Sequence, residues 1–137
     1  MNCIFCDIIN KKAKAEILFE NDKIISFLDI RPVNYGHTLV ISKKHFENFL
    51  SVPDEELYEL IKVTKAISNA IVKSLTPDAF NIVANNGTAA GQSVFHFHFH
   101  IIPRFKNDDF AFKPNLKRYD NGLMKEFAEK IRLAVTL

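Results

Sequence analysis

The chain has no tryptophan, only two cysteines, and no apolar run near the roughly 20 residues that a membrane-spanning helix needs. Each scarcity excludes something. Without a long run there is no transmembrane helix to expect. The start, Met1-Asn2-Cys3-Ile4-Phe5-Cys6-Asp7, has no basic region leading into an apolar stretch, so no signal peptide is read there and a cytoplasmic location is expected. The net charge of +2 is too small to argue for nucleic acid or an anionic membrane as partner. No internal repeat, low-complexity tract or Gly/Ser linker divides the 137 residues, so residues 1–137 are read as a single domain, long enough to bury a core. With 13 phenylalanines and no tryptophan, phenylalanine is expected to supply much of that core.

Local patterns give the elements. Ile17-Leu18-Phe19-Glu20 and Lys23-Ile24-Ile25-Ser26-Phe27-Leu28 are rich in β-formers around an Asn21-Asp22 turn. Pro32 and Gly36 punctuate a loop, and residues 37–41 read as a third strand. A long helix follows. Ser51 with Asp54 resembles a capping box, Pro53 suits a first turn, and Leu57, Leu60, Ile61, Ile67, Ile71 and Leu75 form its apolar stripe until Thr76-Pro77 ends it. Residues 80–84 and 94–102 read as two more strands. A last helix from near Asp120 turns Leu123, Met124, Phe127, Ala128 and Ile131 inward. Strands in runs, not in strict alternation with helices, predict an α+β fold with a mostly antiparallel five-stranded sheet, one long helix and a C-terminal helix.

The segment Phe95-His96-Phe97-His98-Phe99-His100-Ile101-Ile102 alternates without a break. In a strand, alternate residues share a face, so Phe95, Phe97, Phe99 and Ile101 point into a core, and His96, His98 and His100 point the other way, about 6.6 Å apart in succession. A polar strand face ordinarily shows Thr, Lys or Glu, so three of the chain's five histidines in one row call for chemistry. Two chemistries compete. The three imidazoles could hold one catalytic metal. Alternatively one imidazole is a nucleophile or base while the others orient it and hold an anion, a role its near-neutral pKa suits. The stretch before the row, Asn85-Asn86-Gly87-Thr88-Ala89-Ala90-Gly91-Gln92-Ser93, is small and polar with two glycines. Its backbone could form an anion-holding nest, with Gln92 and Ser93 adding side-chain donors, which favours the second chemistry.

The row and its surroundings resemble the histidine-triad (HIT) family of nucleotide hydrolases and transferases. The family motif, His-φ-His-φ-His-φ-φ with φ apolar, is complete as His96-Phe97-His98-Phe99-His100-Ile101-Ile102. Gly91-Gln92-Ser93-Val94, Phe27-Leu28-Asp29-Ile30, Gly36-His37-Thr38-Leu39-Val40-Ile41 and Lys43-Lys44-His45 match in order, so the resemblance runs from about residue 3 to about residue 104. It implies that His98 attacks the α-phosphorus of a nucleotide and that water then releases a nucleoside monophosphate from the nucleotidyl-histidine. His100 would contact the phosphate or the nucleophile, Ser93 and Gln92 would bind phosphate oxygens or the leaving group, and His37 would support the triad from the neighbouring strand. Asp29 would bind the ribose hydroxyls, Asn85 would lie near ribose or phosphate, and Phe5, Ile8, Phe27 and Ile30 would line the base pocket. A third-position His100, where the transferase branch has Gln, favours hydrolysis. The substrate class so implied is a purine nucleoside phosphoramidate, with a dinucleoside polyphosphate as the alternative. A nucleotide-binding regulatory protein of little turnover would use the same pocket. No organic cofactor is implied.

Cys3-Ile4-Phe5-Cys6 is a C-x₂-C knuckle, open to zinc or to free or redox thiols. Some bacterial members of the family resemble it, with His45 and His96 completing a structural zinc site. His96 would then anchor the strand and take no part in catalysis. The resemblance also implies a homodimer whose sheets join edge to edge across the long helix. Residues 105–137 lie outside the matched motifs.

Overall fold

A computed structural model describes residues 2–137. The chain opens with a short helix, α1 (Ile4–Ile9), followed by strands β1 (Ile17–Glu20), β2 (Ile24–Leu28) and β3 (Thr38–Ser42). A long helix, α2 (Asp54–Leu75), leads to β4 (Ala79–Val83) and β5 (His98–Arg104), and α3 (Leu123–Ala134) ends the chain. The five strands form one sheet in the order β1-β2-β3-β5-β4, every neighbouring pair antiparallel. The α+β architecture is the one the sequence predicts.

The two faces of the sheet carry different cores. Ile24, Val40 and Ile101 face α2 and pack with Leu60, Val63, Ile71 and Phe97. Ile25, Phe27, Leu39 and Ile41 face the opposite way, onto Cys3, Phe5 and Ile8 of the N-terminal segment. This double burial explains why β2 and β3 read as continuous apolar runs and do not alternate. The core is mainly aliphatic: Phe5, Phe27 and Phe97 are its buried phenylalanines, while Phe80, Phe95, Phe112 and Phe127 are exposed. The large share expected of phenylalanine is therefore a correction.

Helix α2 departs from its predicted cap and stripe. Its N-cap is Pro53, with no side-chain cap, and Ser51 instead closes a capping box with Asn48 on the preceding 3₁₀ turn. Leu60 and Ile71 are buried as expected, but Ile61 and Leu75 are exposed, and Thr64 and Ser68 take inward places. Those hydroxyls donate to the carbonyls of Leu60 and Thr64, one turn back, so they need no partner in the core. Gly36 holds a left-handed backbone conformation (φ +93°) that favours glycine, and a Cβ there would push aside the end of the Leu75 side chain on α2.

Two further expectations fail. The last strand begins at His98, not near Val94, and Phe95 is exposed. Its partner β3 ends at Ser42 and the last ladder pair is Ile41 with His98, so residues 94–97 lie beyond the ladder, and the Phe97 N–H donates to the Phe46 carbonyl. Helix α3 buries none of its residues, so Leu123, Met124, Phe127 and Ile131 face outward. Among the described residues no helix is long and apolar enough to cross a membrane.

Candidate functional site

Antiparallel pairing sets His98 opposite Ile41, and His100 opposite Leu39 on one side and Val83 on the other. Both imidazoles therefore stand on the sheet face that α1 covers, with ring centroids 4.8 Å apart. Phe5 of α1 lies edge-on to His98 at 5.1 Å and to His96 at 5.9 Å. His96 thus keeps to the predicted side although it precedes the strand.

The hydrogen bonds fix which ring nitrogen of each histidine carries a proton. A backbone N–H can only donate, and a carbonyl can only accept. The Val33 N–H donates to His37 Nδ1 at 3.0 Å, so neutral His37 is protonated at Nε2. That Nε2–H donates to His100 Nδ1 at 2.9 Å, so His100 carries its own proton on Nε2. His98 donates from Nδ1 to the His96 carbonyl at 2.7 Å, which leaves a free lone pair on His98 Nε2. His96 donates from Nε2 to the Ser42 carbonyl at 2.7 Å, which turns its Nδ1 lone pair toward the cysteines. Three backbone groups thus prepare a row that sequence could not orient, and the carbonyl behind His98 belongs to the first histidine of the row itself.

Burial keeps this row uncharged. It lowers the pKa of His37, His98 and His100 below the ordinary imidazole value, His100 to about 4 with help from the charges of His98 and His37. Burial likewise lowers His96 to about 4. At neutral pH His98 Nε2 is therefore a nucleophilic lone pair and His100 Nε2–H a neutral donor beside it.

A cavity of about 260 Å³ opens onto His98 and His100 between α1 and the sheet. Phe5, Ile8, Phe27 and Leu39 wall it, and Asp29, Ile30 and Ser93 reach it as well. Phe5, Ile8 and Phe27 are buried, whereas Ile30 is 88% exposed and touches the cavity only from its mouth. Asp29 Oδ1 accepts the Arg31 N–H at 2.8 Å, and its Oδ2 lies 3.7 Å from His37 Nε2. Lys14, on the loop between α1 and β1, also lines this cavity.

The glycine loop does not do what its composition suggests. The N–H groups of Ala90 and Gln92 bond to the Gly87 carbonyl, that of Gly91 to the Thr88 carbonyl, and that of Gly87 to Gln92 Oε1. Those four donors are satisfied inside the loop and do not form an anion nest there. Gln92 is buried, and its Nε2 donates to the carbonyls of Glu47 and Val94. It braces the loop and has no free donor for a phosphate, which corrects its expected role. Asn85 lines a different cavity, on the other side of His100.

Cys3, Cys6, His45 and His96 converge at the other end of the row. Their ligand atoms all lie within 4.8 Å of one another. His96 Nδ1 is 3.6 Å from each sulfur, and His45 Nδ1 is 3.4 Å from Cys6 Sγ. Ligands around a tetrahedral zinc sit about 3.3–3.8 Å from each other at ordinary bond lengths. With the lone pair on His96 Nδ1 directed at the sulfurs, the residues fit a closed S₂N₂ zinc site. Asp29, His37 and His100 form a second close group. It does not fit a metal: His37 Nδ1 already accepts the Val33 N–H, so coordination through Nε2 would require an imidazolate. A single metal on all three histidines of the row is also disfavoured, because His98 and His96 offer lone pairs to different clefts.

Residues 10–107 match the HIT domain family. A crystal structure of a HIT family member from Bacillus subtilis superposes with a TM-score of 0.93 at 36% identity, covering 100% of this chain and 99% of that one. A zinc-bound histidine triad family protein from Mycobacterium smegmatis superposes with a TM-score of 0.76 at 35% identity, covering 98% and 99% of the two chains. An adenylylsulfatase of Arabidopsis thaliana is 38% identical over 130 residues, which span 95% of this chain and 66% of that protein.

Proposed function

The chain belongs to the HIT family, and on that premise we propose that it is a nucleotide hydrolase acting at the α-phosphorus of a purine nucleoside phosphoramidate or a related nucleotide. The observation that carries the reading is the directed run of hydrogen bonds from Val33 through His37 to His100, beside an unprotonated His98 Nε2. The adenylylsulfatase among the relatives is consistent with hydrolysis at an adenylyl group.

The base lies between Phe5, Ile8 and Phe27, and Asp29 accepts from the ribose through Oδ2. His98 Nε2 then attacks the phosphorus, with His100 Nε2–H donating to a phosphoryl oxygen and Ser93 Oγ close by at the exposed rim. Donors placed where charge builds, in a site that excludes water on one side, stabilise the transition state most. Water afterwards splits the nucleotidyl-histidine and returns His98. Cys3, Cys6, His45 and His96 would hold a structural zinc, tying α1 to the segment just before β5 and leaving the metal no part in the chemistry. Thiolate ligands suit a reducing compartment such as the cytoplasm.

The chemistry is tested by quenching the enzyme in acid-free denaturant during turnover of a radiolabelled adenosine phosphoramidate. An adenylyl group recovered on the peptide that contains His98 is the expected result. Hydrolysis without any adduct on that peptide, in repeated rapid quenches, contradicts the mechanism. Nucleotide binding with neither adduct nor product would leave a nucleotide-binding protein in its place.

The assembly we propose is a homodimer. The chain exposes 10,236 Å², whereas a compact monomer of 15.7 kDa exposes about 7,300 Å². An excess near 3,000 Å² per chain, part of it the uncovered α3, leaves ample area for an obligate interface, which buries roughly 2,000–5,000 Å² over both partners. Its apolar part includes a groove of about 660 Å³ between α2 and the edge strand β4, where Ile61, Val72, Phe80 and Ile82 are exposed. A light-scattering mass near twice 15.7 kDa is expected for the native chain, falling to the single mass on Ile82→Lys; a monomeric native protein would rule the dimer out.

A further inference from the structure

The nucleoside cavity has two ends. His98, His100 and Ser93 stand at one. Ile8, Lys14, Ala15 and Ile30 stand at the other, because these four also line a neighbouring recess of about 480 Å³ that His98, His100, Ser93 and Asp29 do not reach. With phosphorus at His98 and ribose at Asp29, the base of a nucleotide has to run toward Lys14.

Few side chains there can hydrogen-bond to a base. Among the described residues, the polar side chains that line the cavity are Asp29, Ser93, His98, His100 and Lys14. Asp29 is taken by the ribose, and Ser93, His98 and His100 by the phosphate. Lys14 is left over. It is exposed, and among the described residues it forms no ion pair, whereas Lys11 and Lys43 both pair with Glu20, at 3.0 and 2.9 Å. Its donors are therefore uncommitted. Phe5, Ile8 and Phe27 clamp the ring faces of any purine alike, since apolar walls cannot tell a carbonyl from an amino group on the ring edge.

An ammonium can tell them apart, because it has three donors and no acceptor. On the edge that carries N7, guanine presents two adjacent acceptors, N7 and O6. Adenine presents N7 beside the N6 amino group, a donor. We propose that Lys14 reads this edge of the base and makes the enzyme select a 6-oxopurine nucleotide, guanine or hypoxanthine, over adenine. The proposal rests on the nucleotide hydrolase reading for the direction in which the nucleotide lies. Placed at the open end, Lys14 gives O6 a charged donor while the ring faces enter the apolar slot. The adenine amino group meets a second donor there and gains nothing.

The test measures Kd by calorimetry for AMP, GMP, IMP and the monophosphate of 2-aminopurine riboside, on the full-length native protein and on Lys14→Met. IMP keeps O6 without the 2-amino group, and the 2-aminopurine compound keeps the amino group without O6. GMP and IMP are expected to bind at least about fivefold more tightly than the other two, the worth of one hydrogen bond. In Lys14→Met that preference should disappear with little change for AMP, and Lys14→Arg should retain it. Equal affinity of the native protein for GMP and AMP overturns the proposal. So does a preference for GMP that IMP does not share, or a Lys14→Met variant that weakens all four alike, as loss of a charge that merely attracts phosphate would. Each of these results leaves the His98 mechanism intact. Failure of all four to bind removes the nucleotide hydrolase reading and the proposal together.

Discussion

His98→Ala is expected to lower kcat/KM by on the order of 10⁴-fold or more while the protein still folds and binds a nucleoside monophosphate. The size follows from what is lost. Without the Nε2 lone pair there is no covalent intermediate, and His100 and the cavity can only position a phosphate for direct attack by water, which splits no hard step into easier ones. A loss of 10⁴ corresponds to about 5.5 kcal/mol of transition-state stabilisation. Folding should survive, because the one hydrogen bond from His98 goes to the His96 carbonyl and its ring lines the cavity wall. Affinity for the monophosphate should persist, since Phe5, Phe27 and Asp29 are untouched. A variant within tenfold of the native rate would exclude His98 as nucleophile. The native enzyme's pH profile carries the same logic. Only neutral His98 attacks, and burial lowers its pKa below the ordinary 6.5, so activity should hold level through neutrality and fall only as pH drops below that value. An acid limb with its midpoint above 6.5 would contradict the buried, unprotonated nucleophile.

The sequence carried the strand and helix content because apolar residues recur at the periods those elements require. It carried the histidine row because nothing but chemistry explains three imidazoles on one face. It misled where partners decide. Residues 94–97 alternate as well as residues 98–102 do, but only the latter lie beside β3 and β4. The amphipathic stripe of α3 is real, yet among the described residues only Tyr119 lies against it, edge-on to Phe127, and none of its residues is buried. Gln92 and the glycine loop look like anion binders by composition, and their donors turn out to close the loop on itself. The backbone groups that set each imidazole's proton, at Val33, Ser42 and His96, leave no mark in side-chain pattern at all. Phe110 and Phe112 sit in a segment without periodicity, and the fold brings both to the cavity that Asn85 and His100 also line.

Native protein purified without chelator should hold one zinc per chain, and the double variant Cys3→Ser, Cys6→Ser should hold none. With free zinc a thousandfold above its Kd, a site that binds only the folded state contributes about 4 kcal/mol. For a chain of this length that loss should lower Tm by roughly 10–15 °C. The choice of serine separates the metal from the helix cap. Cys3 is the N-cap of α1 and its sulfur accepts the Cys6 N–H at 3.5 Å; a serine oxygen performs that task better. Any destabilisation therefore reports the missing ligand, not a frayed helix. The consequence for function is graded, because α1 carries Phe5 and Ile8, two walls of the nucleoside cavity. Loosening α1 should weaken nucleoside monophosphate binding several-fold while adenylylation of His98 still occurs, since the His98 proton is set by the His96 carbonyl and not by either sulfur. Full zinc stoichiometry in the double variant would move the metal onto the histidine row and revive a metalloenzyme. Loss of zinc together with loss of all His98 adduct would mean that the first histidine does more than hold its strand in place.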